Sequence, residues 1–177
     1  MSCKDCGTEL CSCDSAEEVR ISGFMQVINT FKVEMKKLTE NAKTPTRGSV
    51  EAAGYDLYAD LKGAEELTIP AHSTKLVGTG LAMKLPQGTF LGIYPRSGLA
   101  TKRGLRPANT VGVVDSDYRG EIMVALHNDT EEEQTITDGE RIAQGILQSY
   151  MPISFNEVDE LSETARGYGS FGSTGTN

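Results

Sequence analysis

An all-β sandwich or barrel is the fold class this chain predicts, and three observations predict it. Between Leu67 and Leu85 short apolar runs are separated by Pro70, Gly78, Gly80 and Pro86, the spacing of strands joined by tight turns. Phe31, Val33 and Met35 alternate with polar residues, as one face of a half-buried strand requires. No core segment keeps apolar residues at helical spacing for more than a few turns. The length, 177 residues, suits one domain with tails, because domains typically hold roughly 100–150 residues.

Composition narrows the function. Lys and Arg number 17 against 25 Asp and Glu, for a net charge of -8, so the chain carries no general nucleic-acid footprint and stable nucleic-acid binding is not expected. A phosphate-bearing ligand must then be held by local donors. No apolar run approaches the roughly 20 residues that span a bilayer, and the N-terminus lacks the apolar stretch of a signal peptide. The expectation is a soluble intracellular protein with no membrane partner. It would be cytoplasmic, with nucleus or virion as alternatives in a eukaryotic or viral setting. All four cysteines, Cys3, Cys6, Cys11 and Cys13, fall near the start. As C-x-x-C followed by C-x-C they either hold one zinc ion in a small knuckle or form a reduced tail.

Taken in order, Ser15 to Thr30 reads as a short helix or an extra strand, its weak amphipathic pattern interrupted by Gly23. The folded core starts near Phe31, and Asn41 to Ser49 is a loop around Pro45 and Gly48. In Ala52 to Ala59, Gly54 marks a close backbone approach or an unusual dihedral. Asp56 is either a buried structural acceptor or a carboxylate facing a cation. His72 reads as an exposed turn residue. Thr89 to Tyr94 is a strand ending in the turn-like Pro95-Arg96-Ser97-Gly98-Leu99-Ala100, where a guanidinium fork, a hydroxyl and an unobstructed backbone N–H suit phosphate oxygens. Asn109 follows, with an amide that both donates and accepts.

Gly112 to Ile122, GVVDSDYRGEI, reads as a hairpin with chemistry at its turn, and Met123 to Leu126 continues its second strand. Asp115 and Asp117, two apart, share a face in extended backbone, leaving Ser116 and Tyr118 on the other. One carboxylate can act as a general base while Tyr118 offers a flat wall to a ring-shaped substrate, or the stretch is an Asp-rich turn. Asp129 to Gln134 is a solvated acidic turn, and His127 closes the strand before it. Asp138-Gly139-Glu140 is a turn before the strand Arg141 to Leu147, in which Gln144 needs a partner. Ile153 to Val158 is the last strand-like run. Arg166 to Asn177 has glycines at 167, 169, 172 and 175, which suits a flexible tail or a lid.

Five stretches occurring in order, AAGYDLYA, PRSGLA, GVVDSDYRGEI, GERIAQ and RGYGSFGSTG, resemble the motifs of the trimeric dUTPase family over about residues 31–175. The resemblance implies a jelly-roll-like β-barrel, a homotrimer with active sites shared between subunits, and magnesium-dependent hydrolysis of dUTP to dUMP and pyrophosphate. That reaction limits uracil incorporation into DNA and supplies dUMP for dTMP synthesis. It implies Asp115 as the general base that activates water for attack on the α-phosphorus, and Tyr118 as the ring packed on deoxyribose. Asn109 and the backbone of Val113, Val114 and Met123 match uracil-reading positions. Arg96, Ser97, Gly98 and Gln144 match phosphate contacts, and Asp56 matches the acid that holds magnesium through water. Arg166, Phe171, Gly172, Ser173 and Thr174 match the closing motif. The implied organisation is a cysteine-containing extension over 1–30, a barrel core over 31–160 and a glycine-rich C-terminal arm over 161–177.

The first thirty residues have no counterpart in that family, which leaves room for a regulator that binds a protein partner through them. The nearest rival enzyme, a dCTP deaminase, shares the fold but needs a glutamate base beside an Arg-Ser-Ser type motif. Here the second motif reads Arg-Ser-Gly and the third Asp-Ser-Asp-Tyr, which favours the hydrolase.

Overall fold

The computed structural model describes residues 17–21, 24–28 and 31–169. Ser97–Arg103 (α1) is the one helix among them, and strands supply the other regular elements. β1 (Glu17–Ile21) and β2 (Phe24–Ile28) pair antiparallel, so of the two alternatives for the N-terminal stretch the strand holds. β3 (Glu34–Lys37) pairs with β8 (Leu81–Lys84) further along the chain. Val33 and Met35 are half-buried as the alternation predicts, whereas Phe31 is 61% exposed. Phe31 lies three positions before β3 begins and has no sheet neighbour to pack on.

Two larger sheets supply the frame. One runs β11 (Gly112–Asp115), β9 (Thr89–Tyr94), β14 (Arg141–Ser149), β5 (Tyr55–Tyr58) and β4 (Thr46–Arg47). The other runs β10 (Leu105–Pro107), β12 (Met123–Asn128) and β7 (Thr74–Gly78). β13 (Gln134–Thr137) pairs separately with β6 (Glu66–Ile69). Alternate residues of β12 are buried, so Val124 and Leu126 point inward. There they join Val77, Ile69 and Ile136, together with Leu57, Ile93 and Ala143 from the five-stranded sheet, in one core. Burying an aliphatic side chain of this size stabilises the fold by roughly 1.5–3 kcal/mol, and the result is the expected jelly-roll-like, all-β architecture.

Four polar residues are buried among those described, Asp60, Thr79, Thr89 and Asn128. Asn128 is fully buried; its amide nitrogen donates to the carbonyls of Ile69, Pro70 and Glu132, at 3.1, 3.1 and 2.7 Å. Its oxygen accepts from the Thr130 N–H at 2.9 Å, so the burial leaves no orphaned group. It staples the acidic turn, whose glutamates 131–133 are exposed as expected, while Gln134 belongs to β13. β12 runs one residue past His127. His72 sits in an exposed turn with φ 50°.

Three expectations need correction. Gly112 to Ile122 is not a hairpin of paired strands: β11 pairs with β9, and β12 pairs with β7 and β10 in the other sheet. The turn between them is real, but each flanking strand finds a ladder with a partner distant in sequence. Pro95 to Ala100 is not a turn, because α1 starts at Ser97. Ile153 to Val158 forms no strand, with Ile153 73% and Phe155 92% exposed. No described strand pairs with that segment, and a strand without a ladder leaves its backbone groups unpaired. No helix among the described residues is long and apolar enough to cross a membrane.

Candidate active site

Strand register assembles a charged cleft. In the five-stranded sheet Gln144 on β14 lies opposite Tyr94 on β9 and Asp56 on β5, and residues directly opposite in a sheet share a face. β9 then delivers Pro95 and Arg96 to the same end. Arg96 is extended (φ −87°, ψ 126°), and its carbonyl accepts the N–H groups of Leu99 and Ala100 at 3.1 and 3.0 Å, which starts α1. Buried Leu99 holds the helix down. Lys102 and Arg103 complement its C-terminal carbonyls, and Gly104 stops it in the left-handed conformation at φ 61°.

Asp56 ties the cleft together. Its Oδ1 accepts from Arg96 Nε at 2.8 Å and its Oδ2 from Arg141 Nη1 at 3.1 Å, with its side chain 13% exposed. Arg96 Nη1 also donates to the Arg141 carbonyl at 3.3 Å. Of the two alternatives for Asp56, this geometry makes it an acceptor for two guanidinium groups. Gln144 Nε2 donates to the Pro95 carbonyl at 3.0 Å, which answers the need of its amide for a partner. Its Oε1 occupies the space where a Cβ on Gly54 would lie, so Gly54 is the close approach that its sequence context suggests. Ser97 and Gly98 complete the rim, and a Cβ on Gly98 would meet nothing within 4 Å. The cleft holds about 230 Å³, less than the roughly 300–1,000 Å³ of pockets that enclose a whole small molecule. It is open and suits one polar part of a ligand.

Asp115, Tyr118, Asn109, Val113, Val114 and Met123 do not line that cleft. Asp115 ends β11 with its side chain in solvent, and its carbonyl accepts the Tyr118 N–H at 3.2 Å. Asp117 is exposed beside it, whereas Tyr118 does not turn to a buried face: it is 46% exposed. The Tyr118 hydroxyl donates to the Glu121 carbonyl at 3.0 Å, and the ring fills the space left by the missing side chain of Gly120. Val113 and Met123 are 60% and 44% exposed, and Val114 is half-buried. Exposed Asn109 approaches Gly112, where a Cβ would stand 3.3 Å from its Nδ2. Within one chain the two groups lie far apart. Asp115 is opposite Phe90, near the start of β9, while Arg96 follows the end of that strand, and six extended residues span roughly 20 Å.

Arg166 lies in an exposed turn, with Nε donating to the Gly169 carbonyl at 3.2 Å. Phe171, Gly172, Ser173 and Thr174, like Cys3, Cys6, Cys11 and Cys13, lie outside the described residues. Among the described residues no group of three or more His, Cys, Asp or Glu side chains is placed to hold a metal ion. The sequence reading missed Arg141; its place at the mouth of a strand that carries Gln144 three residues on is the signal that finds it.

Comparison with known proteins gives a consistent picture. The dUTPase family profile matches residues 40–175. A deoxyuridine 5′-triphosphate nucleotidohydrolase from Yarrowia lipolytica is 51% identical over 142 residues, covering 79% of this chain and 87% of the relative. The solved dUTPase of Staphylococcus bacteriophage 80alpha with dUPNHPP superimposes with a TM-score of 0.75 at 26% identity, covering 83% of this chain and all of that one. A mutant dUTPase from phage phi11 of S. aureus, described for its coordination of a structural Mg(II) ion, shares the fold at 20% identity with a TM-score of 0.66, over 75% and 99% of the two chains.

Proposed function

This chain belongs to the dUTPase family, and on that premise we propose that it hydrolyses dUTP to dUMP and pyrophosphate, with water attacking the α-phosphorus. Arg96 supplies a planar fork, Ser97 a hydroxyl, Gly98 an unobstructed N–H and Gln144 an amide to the phosphate oxygens. Arg141, across Asp56 from Arg96, adds a second guanidinium to the same cleft. The carboxylate between the two arginines holds both forks in place before a ligand arrives, so little reorganisation is left for the reaction itself.

Asp115 is the general base: its exposed carboxylate takes the proton of the attacking water. The roughly 20 Å between Asp115 and the arginine cleft of the same chain is the observation that carries the arrangement. One chain cannot place its own base on a phosphorus held by its own Arg96. A homotrimer in which one subunit's cleft meets another's Asp115 and Tyr118 removes that difficulty, and the arm over 161–177, with Arg166, Phe171, Gly172, Ser173 and Thr174, closes the site.

Uracil is read by Asn109 and by the backbone of Val113, Val114 and Met123. Two features support this. β11 is an edge strand, with backbone donors and acceptors unpaired on its outer side, and Met123 lies beyond the reach of β10, which pairs only with Leu126–Asn128. Fixed backbone groups of this kind fit the edge of uracil and mismatch the cytosine amine. Tyr118 packs on the deoxyribose and leaves no room for a 2′-hydroxyl.

Magnesium fits the donor set as an ion held mainly by the triphosphate, since it keeps several waters and needs only one or two carboxylates. Each Asp56 oxygen accepts one bond from an arginine and retains a lone pair for a water on the ion. When bound, the ion would offset negative charge on the phosphate oxygens. A zinc ion at Cys3, Cys6, Cys11 and Cys13 rests on their spacing alone, as does a protein partner for residues 1–30. The deaminase alternative is not favoured, because the matched relatives are hydrolases. Pyrophosphate release from each dNTP with magnesium tests the assignment: dUTP alone should be turned over efficiently, and ammonia release from dCTP would overturn it.

A further inference from the structure

Glu121 closes the segment that carries Asp115 and Tyr118, and no role in the reaction has been given to it above. Its carboxylate is gripped at both oxygens. Oε1 accepts the Gly80 N–H at 3.0 Å and Oε2 pairs with Lys62 Nζ at 2.8 Å, with the side chain 16% exposed. Oε1 also fills the space that a side chain on Gly78 would need. The turn it grips is itself braced from the other side. The Asp60 N–H donates to the Gly78 carbonyl at 2.9 Å, and the buried Asp60 carboxylate packs where a Gly80 Cβ would lie. Thr79 donates to the Ile122 carbonyl through its hydroxyl at 2.7 Å and its N–H at 3.2 Å, while the Ile122 N–H reaches the Leu81 carbonyl at 2.8 Å. Hydrogen bonds with Gly80, Thr79 and Leu81 therefore fasten residues 121 and 122 to the β7–β8 turn, and Lys62 holds Glu121 from outside it.

The stretch before them is held far less. Among the described residues Arg119 donates to carbonyls within the same loop, Ser116 at 2.7 Å and Tyr118 at 2.8 Å. The tyrosine reaches a fixed point through its hydroxyl, which donates to the carbonyl of Glu121. The orientation of that ring is thus set by where Glu121 sits. We propose that Glu121 is a positioning residue that fixes the pitch of the Tyr118 ring and thereby sets discrimination between 2′-deoxyribose and ribose in the substrate. The inference rests on the reading of Tyr118 as the sugar-facing ring. The Glu121 hydrogen bond holds the Lys62 ammonium above its ordinary pKa, so the lysine end of the grip keeps its charge across the neutral range.

The test is the ratio of kcat/KM for dUTP to that for UTP, measured with magnesium on the full-length protein and its variants. Glu121→Ala should lower the ratio at least about tenfold, mainly through a gain toward UTP. Glu121→Gln, which keeps an acceptor for the Gly80 N–H, should stay within a few-fold of the parent. Should Glu121→Ala fail to fold, Glu121→Asp, one methylene shorter, should still lower the ratio several-fold. A merely structural role predicts that both substrates lose activity in parallel, and an unchanged ratio in the folded variant overturns the proposal. A parent enzyme that turns over UTP and dUTP equally would overturn instead the sugar-facing reading of Tyr118.

Discussion

The arginine cleft and the 112–123 segment solve the problem of holding functional groups in opposite ways. In the cleft, side chains hold side chains: Asp56 bridges Arg96 and Arg141, Gln144 leans on Pro95, and three neighbouring strands of one sheet set the register. In the 112–123 segment the backbone holds the side chains: Tyr118 hangs from one carbonyl, Asp115 points into solvent, and the two flanking strands belong to different sheets. The cleft is built to meet charge, which demands fixed counter-groups. The segment presents its groups outward, where the proposed trimer would complete them with a second surface.

The sharpest way to break this comparison is Asp115→Asn. An amide keeps the shape but cannot take the proton of water, so kcat should fall by roughly 10²–10⁴-fold while nucleotide binding, measured by calorimetry, stays near that of the parent. Turnover close to the parent rate would remove Asp115 from its role. Truncation after Glu163 comes next. If Arg166 serves the leaving pyrophosphate as proposed, kcat/KM should fall by about 10²–10³-fold, the range for one oxyanion donor, in a chain whose oligomeric state by light scattering is unchanged. Mixing it with full-length Asp115→Asn under subunit exchange should restore part of the activity. No recovery after demonstrated exchange would mean that arm and base serve from the same chain. The smallest effect belongs to Gly54→Ala. The new methyl group would displace the Gln144 amide, and an interaction of this size predicts roughly a tenfold rise in KM with the dUTP to UTP ratio unaltered. A changed ratio would show that cleft and segment are not independent.

Local chemistry was legible in the chain and pairing was not. Gly54, among small residues two positions before Asp56, marks either a close approach or an unusual dihedral, and the structure puts Gln144 against it. The strands β9 and β14 follow from their own apolar runs. The partners of β11 and β12 do not, because a ladder depends on residues distant in sequence, and two runs flanking a turn look the same whether they pair together or part. The short helix α1 was missed for another reason: seven residues show little periodicity. Its signal lies at its end, where Lys102 and Arg103 precede Gly104. Arg141 and Glu121 escaped notice since each reads as an ordinary charged residue at a strand end, and only their partners, Asp56 and the Gly80 N–H, give them meaning.

On the proposed function, the bridged pair of arginines also decides how a substrate is first met. Two guanidinium groups and one carboxylate leave the cleft with a single surplus positive charge, set in a chain whose net charge is -8. A polyphosphate approaching from afar meets an unfavourable field, and attraction takes over only near the mouth of the cleft. Mobile ions damp the distant repulsion beyond about 8 Å at physiological ionic strength and leave the short-range contacts largely intact. Moderate salt therefore eases the approach of this anion, the reverse of what a basic, steering surface would give.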